Sequence, residues 1–277
     1  MILKKKYILK VGLTNATKES ILEFIIEHIQ KDSKKFYIVT PNPEIIVYAA
    51  RHEEFRQILN QARIALPDGV GDIWAGWMLG EKLKERVTGV DLLKAICERA
   101  SEANLRLPKK PITVGFLGGK GNVAEKAANC LLKRYPGLVV SFIGEEWGDE
   151  GIKKARQDPN SEFPIQNSES ENEAPRKKTL NSKLLTLNSV DVLFVAYGFP
   201  KQEYFMAEHL GKIPVQVMMG VGGAFDYISG QVPRAPRFLR KLGLEWLFRL
   251  AVQPWRLKRQ LALFDFAFLV LKKRLST

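Results

Sequence analysis

Short apolar runs rich in β-branched and aromatic residues alternate along this chain with longer stretches in which apolar side chains return every three or four positions. The short runs lie at 7–12, 36–40, 63–66, 112–117, 138–143, 190–197 and 215–219. Of the longer stretches, 17–30 carries Ile21, Phe24, Ile25, His28 and Ile29 along one side, and 90–103 and 122–135 repeat that period. Strands separated by helices pair in parallel, with the helices laid over the faces of the sheet. The expected fold class is therefore α/β: a Rossmann-like, mostly parallel sheet flanked by helices, spanning residues 1–230. In such sheets ligands sit beyond the carboxyl ends of the strands.

Two segments depart from this pattern. Residues 154–187 are rich in Ser, Asn, Glu, Lys and Pro with few apolar side chains, and read as a mobile surface insertion. Residues 231–277 form a basic, aromatic-rich appendage with eleven Lys or Arg against two acids, out of a net charge of +13 for the whole chain. Within it Leu257, Leu261, Phe264, Phe268 and Leu271 recur at helical spacing, with Lys258, Arg259, Lys272 and Lys273 near the ends. Cations mixed with apolar side chains suit an anionic bilayer face, so the appendage is expected to be a helical membrane-docking element. A core helix or an interface between copies of the chain is the other use of such a helix. Its apolar run, 261–271, contains Asp265 and falls short of the roughly 20 residues that span a bilayer. Lysines at positions 4, 5, 6 and 10 interrupt the N-terminus, so no export signal is expected. Cys97 and Cys130 both fall in helical segments and read as buried thiols in a reducing compartment.

Four polar clusters follow predicted strands, where an α/β site belongs. They are Thr40-Pro41-Asn42-Pro43, Leu66-Pro67-Asp68-Gly69-Val70-Gly71-Asp72, Tyr197-Gly198-Phe199-Pro200-Lys201-Gln202-Glu203 and Met219-Gly220-Val221-Gly222-Gly223-Ala224-Phe225-Asp226. Each has a purely structural use as well. Asn42 with Pro43 can cap a helix, Asp68-Gly69 can be a turn, Lys201 and Glu203 can be a solvated first helical turn, and the glycines can serve tight packing. Gly118-Gly119-Lys120-Gly121 lacks Walker A spacing, and G-x-G-x-x-G is absent, which argues against ATP or NAD binding of the usual kinds. His28, His52 and His209 have no ligand spacing, and Asp68 and Asp72 are not an adjacent pair, so no metal site is expected.

Taken with Arg86-Val87-Thr88-Gly89, Arg234-Ala235-Pro236 and Gly243-Leu244-Glu245-Trp246-Leu247-Phe248-Arg249, these clusters resemble the WecG/TagA/CpsF glycosyltransferases from about residue 10 to about residue 260. The resemblance implies transfer of an N-acetylmannosamine-type hexose from a UDP-sugar donor to a polyprenyl-diphosphate-linked acceptor, with inversion and without a metal or other cofactor. It implies Asp68 as the base and Thr40, Asn42, Arg86, Gly198, Lys201, Gln202 and Glu203 as substrate-binding residues. Gly222, Gly223 and Asp226 match the nucleotide-binding segment, and Arg249, Arg256 and Arg259 the arginines that meet lipid diphosphate and membrane. The implied place is the cytoplasm, at the inner face of the plasma membrane, with self-association of the chain left open.

Elementary chemistry is compatible with those roles. A carboxylate within about 3 Å takes the proton of an acceptor hydroxyl as the new bond forms. An unperturbed aspartate, with a pKa of about 3.9, is charged near neutral pH. Arg86, Lys201 and the amides of the Gly222-Gly223 turn would stabilise departing UDP, and Gln202 or Asn42 would hold sugar hydroxyls or an acetamido group. A nucleic-acid-binding module would also explain the basic charge, but no nucleic-acid motif accompanies it and the cations gather in one apolar appendage. An oxidoreductase would need the missing dinucleotide fingerprint.

Overall fold

In the computed structural model the chain is described over residues 3–31, 34–107, 110–146, 190–241, 243–254 and 257–276. The predicted insertion at 154–187 and Arg256 lie outside these residues. The chain opens with β1 (Lys5–Ile8) and β2 (Val11–Thr14), an antiparallel pair apart from the main sheet. This corrects the single strand expected at 7–12. Leu9 and Lys10 turn the chain with φ of 47° and 68°, a left-handed conformation usually given to Gly or Asn, so the sequence carries no turn signal there.

The elements that follow are α1 (Lys18–Gln30), β3 (Phe36–Val39), α2 (Pro43–Arg51), α3 (Glu53–Gln61), β4 (Ile64–Ala65), α4 (Val70–Met78) and α5 (Gly89–Arg106). Next come β5 (Thr113–Gly118), α6 (Val123–Arg134), β6 (Val139–Gly144), β7 (Val190–Ala196), α7 (Lys201–His209), β8 (Val215–Gly220) and α8 (Ala224–Ile228). The described chain closes with α9 (Arg237–Lys241), α10 (Glu245–Val252) and α11 (Leu257–Leu275). Strands β3 to β8 form one six-stranded sheet in the order β4-β3-β8-β7-β5-β6, with every pairing parallel. The expected α/β class is therefore what the chain adopts.

Period-two alternation divides the core between the two faces of the sheet. On one face Ile38, Val114, Phe116, Phe194, Val217 and Met219 pack with Ile21 and Ile25 of α1, Leu93 and Ile96 of α5, and Ala127 of α6. On the other, Tyr37, Val39, Leu193, Val195 and Met218 meet Ile46 of α2, Phe55 and Leu59 of α3, and Met206 of α7. Phe266 and Val270 of α11 join this second cluster, 2% and 0% exposed. The C-terminal helix is thus a core helix on one face, packed on α2 and α4. Its opposite face exposes Leu257, Leu261, Phe264, Phe268, Leu271 and Leu275. Among the described residues no helix is long and apolar enough to cross a membrane. Cys97 is buried as expected, whereas Cys130 is exposed, because α6 buries Val123, Ala124, Ala127, Ala128 and Leu131 instead.

Candidate active site

The strand order itself assembles the site. β4, β3, β8 and β7 are consecutive in the sheet, so the loops that leave their carboxyl ends lie side by side. These loops carry the four polar clusters. Backbone bonds knit them together: Asp68 N–H donates to the Pro41 carbonyl (3.2 Å) and Val87 N–H to the Pro67 carbonyl (3.1 Å). The Thr40 hydroxyl, buried, donates to the Gly220 carbonyl (3.2 Å). Asn42 is a helix cap, its side-chain oxygen accepting Ile45 N–H at 3.1 Å with Pro43 in the first turn of α2. Pro43 presses so closely on the next loop that a Cβ at Gly69 or Gly71 would come within 2.5 or 2.6 Å of it. That approach requires glycine beside Asp68. Phe199 fixes the loop after β7, its ring edge-on to Tyr48 (5.0 Å) and Phe55 (5.5 Å).

Asp68 is half-buried as a residue. Desolvation lifts its pKa to about 6, opposed by the positive charges of Arg86 and Arg249 and assisted by Glu245 and Asp91. This corrects the expectation of an ordinary aspartate. Asp72, in the first turn of α4, is fully buried; one oxygen accepts Gly69 N–H at 2.8 Å and the other has no partner. Burial raises its pKa well above the usual carboxylate range, with the Asp68 charge adding to the effect.

Three motifs far apart in sequence meet behind Asp68. Arg86 donates to Glu245 (3.1 Å) and to the Arg240 carbonyl (3.4 Å). Arg234 grips both oxygens of Asp91, at 2.7 and 3.0 Å, and reaches the other oxygen of Glu245 at 3.3 Å. Asp91 is held besides by the Thr88 hydroxyl at 2.7 Å. Burial would raise the Asp91 pKa, but the Arg234 and Thr88 hydrogen bonds outweigh it and bring it down to about 2. These bonds tie the segment after β8 and the start of α10 to the N-terminus of α5. Asp91 was not foreseen, and Asp72 was foreseen only as the last residue of the cluster that holds Asp68. For Asp91 the signal was present as an acid three residues after a capping threonine, since Asp91 N–H also donates to the Thr88 hydroxyl (3.2 Å).

The Gly222–Asp226 segment runs close beneath the Arg249 side chain. A Cβ on Gly223 would lie 2.8 Å from Nη2 of Arg249 and 3.1 Å from the Asp226 carboxylate. Arg249 stacks over Tyr227 (5.0 Å to the ring centroid), and its buried Nε has no hydrogen-bond partner. Arg249, expected on the membrane side, is therefore brought to the Gly222–Asp226 segment. Arg259 forms a two-point ion pair with Glu44 of α2, at 2.7 and 2.9 Å. Lys201 is exposed, and Gly198, at φ 74°, makes the turn after β7. Gln202 and Glu203 are 2% and 0% exposed, which excludes the solvated-turn use of Glu203. Among the described residues no group of three or more His, Cys, Asp or Glu is placed to hold a metal ion.

Comparison with known proteins accords with this geometry. The model of the glycosyl transferase WecG/TagA/CpsF family matches residues 6–277. The chain is 27% identical over 263 residues to an N-acetylglucosaminyldiphosphoundecaprenol N-acetyl-beta-D-mannosaminyltransferase of Bacillus subtilis (strain 168), covering 95% of this chain and 90% of that protein. It is 30% identical over 272 residues to a protein of the same name from Staphylococcus aureus (strain MRSA252), covering 96% and 92%.

Proposed function

Because this chain belongs to the glycosyl transferase WecG/TagA/CpsF family, we propose that it moves N-acetylmannosamine, or a closely related hexose, from a UDP-sugar to N-acetylglucosamine carried on a polyprenyl diphosphate. The observation that carries this reading is Asp68, a half-buried carboxyl on one of four adjoining loops, with Arg86 and Arg249 close enough to affect its charge. A pKa of about 6 leaves it largely ionised near neutral pH and makes it a stronger base than a free aspartate. In the proposed step the acceptor hydroxyl gives its proton to Asp68 while its oxygen bonds to the anomeric carbon. The bond from that carbon to UDP breaks on the opposite face, and UDP departs with the electron pair, so configuration inverts.

The charge that grows on UDP needs partners within the protein. Arg249, with its guanidinium against Gly223, and Arg86 are the cations disposed to meet it, and we propose that they serve without a metal ion. The acceptor is a lipid, so the cleft must come to the bilayer. The outward stripe of α11, with Phe264 75% and Phe268 65% exposed and Lys272, Lys273 and Arg274 at its end, supports docking of the protein on the anionic inner leaflet. Purified protein offered a panel of UDP-sugars and a short-chain lipid diphosphate bearing N-acetylglucosamine is expected to transfer N-acetylmannosamine. Transfer of a different sugar class, or none with any UDP donor, would overturn the assignment.

A further inference from the structure

A carboxyl in the first turn of a helix ordinarily faces water, where it complements the helix dipole. Glu203 occupies the first turn of α7 and is 0% exposed. One of its oxygens accepts the side-chain N–H of Gln202 at 2.9 Å; the other has no hydrogen-bond partner. Gln202 is itself 2% exposed, and its carbonyl oxygen accepts Gly222 N–H at 3.0 Å. A continuous chain of bonds thus runs from a buried acid on one loop to the backbone of the Gly222–Gly223 turn on another.

The direction of that chain matters. A side-chain amide can sit in two orientations related by a half-turn, and only its partners choose between them. An unprotonated oxygen of Glu203 can only accept, so it selects the orientation with the Gln202 N–H toward itself and the Gln202 carbonyl toward Gly222. The reverse orientation would set N–H against N–H at Gly222 and oxygen against oxygen at Glu203. Room for other arrangements is small: a Cβ on Gly220 would come within 3.0 Å of both the Gln202 amide nitrogen and the Met206 methyl. Gly222, at φ 51°, is in the left-handed region and has no side chain of its own to hold the turn.

We propose that Glu203 is a positioning residue for the donor nucleotide: through Gln202 it fixes the Gly222–Gly223 turn against Arg249 and Asp226, and it touches no substrate itself. The inference rests on taking that turn as the seat of the donor nucleotide. It also moves Gln202 and Glu203 from the sugar-binding role implied by family resemblance to the support of the nucleotide loop.

The test is binding of UDP to the full chain by calorimetry, together with donor and acceptor kinetics. Glu203→Gln keeps an accepting oxygen for Gln202 and is expected to bind UDP within about twofold of the unmodified protein. Glu203→Leu removes the acceptor, and loss of one buried bond is expected to weaken UDP binding about tenfold. The same loss should appear in KM for the donor, with kcat and KM for the acceptor little changed. Gln202→Met should match Glu203→Leu, and the double variant should be no worse than either, because both act through one chain of bonds. If Glu203→Leu does not fold, Gln202→Met and Glu203→Gln carry the same comparison. Unchanged UDP binding in folded Glu203→Leu or Gln202→Met, or a loss in Glu203→Gln equal to that in Gln202→Met, would overturn the proposal. Failure of the unmodified protein to bind UDP would overturn the function reading, and this inference with it.

Discussion

Asp68 combines two properties that pull against each other. Burial raises its pKa from 3.8 to about 6, so below about pH 4 the folded and unfolded chains are both protonated and the site is free of strain from this group. As pH rises from about 4 to about 6 the unfolded chain releases its proton before the folded chain does, and stability falls. Above that range the penalty is constant, about 1–2 kcal/mol once the residue's partial exposure is allowed for. Asp68→Asn is therefore expected to raise the melting temperature near pH 8 and to leave it unchanged near pH 4, as calorimetry at the two pH values would read. The same substitution should lower kcat by roughly 100-fold or more, and the unmodified enzyme should lose activity on an acid limb centred near 6 that Asp68→Asn lacks. An unmodified enzyme whose rate is flat between pH 5 and 8 would remove Asp68 from the base role. The carboxylate was legible in the sequence from its place after a strand and before glycine. Its altered acidity was not, because the burial that raises it, and the charges of Arg86, Glu245, Arg249 and Asp91 that modify it, arise only in the folded chain.

At the scale of elements, the C-terminal segment is held in two ways: Phe266 and Val270 of α11 join the core, and an ion-pair cluster ties Arg234 and Glu245 to the start of α5. Arg234 is 15% exposed and holds both Asp91 and Glu245. Because Asp91 is 41% exposed, the pairing is partly screened, and Arg234→Ala is expected to lower stability by about 2 kcal/mol rather than the larger loss seen when a fully buried pair is broken. The sign with pH is opposite to that of Asp68. With its folded pKa depressed to about 2, Asp91 contributes stability that is present above about pH 4 and disappears as pH falls through about 2. The deficit of Arg234→Ala should therefore shrink in acid, which thermal melts across that range would check. Elements with a clear period were legible: β5, β7 and β8 fall within a residue or so of the runs that foretold them. The β1–β2 turn was hidden because Leu9 and Lys10 hold a backbone conformation their side chains disfavour. The burial of Glu203 was not legible, because a charged residue in a first helical turn ordinarily faces water.

The whole molecule presents a basic, apolar helix on one side and a cleft at the carboxyl edge of its sheet. The sequence announced both, but not that β4, β3, β8 and β7 would stand next to one another; that adjacency, set by long-range pairing, turns four scattered loops into a single rim. Exchange of Phe264 and Phe268 together for Ser removes two exposed rings from α11 while leaving the buried Phe266 and Val270 in place. Flotation with anionic vesicles is expected to show binding weakened about 30-fold or more, with turnover of a short-chain soluble acceptor retained. Equal flotation of the two proteins would dissociate α11 from membrane contact.

Helix α11 lies on α2 and α4, the two helices that begin beside Asn42 and Asp68, and the Phe266 ring comes within 3.5 Å of where a side chain on Gly71 would start. A small molecule wedged under that ring would have no need to resemble a nucleotide or a sugar. By prising α11 from its bed it would skew the loop that carries Asp68, disarming the enzyme from behind and out of competition with its substrates.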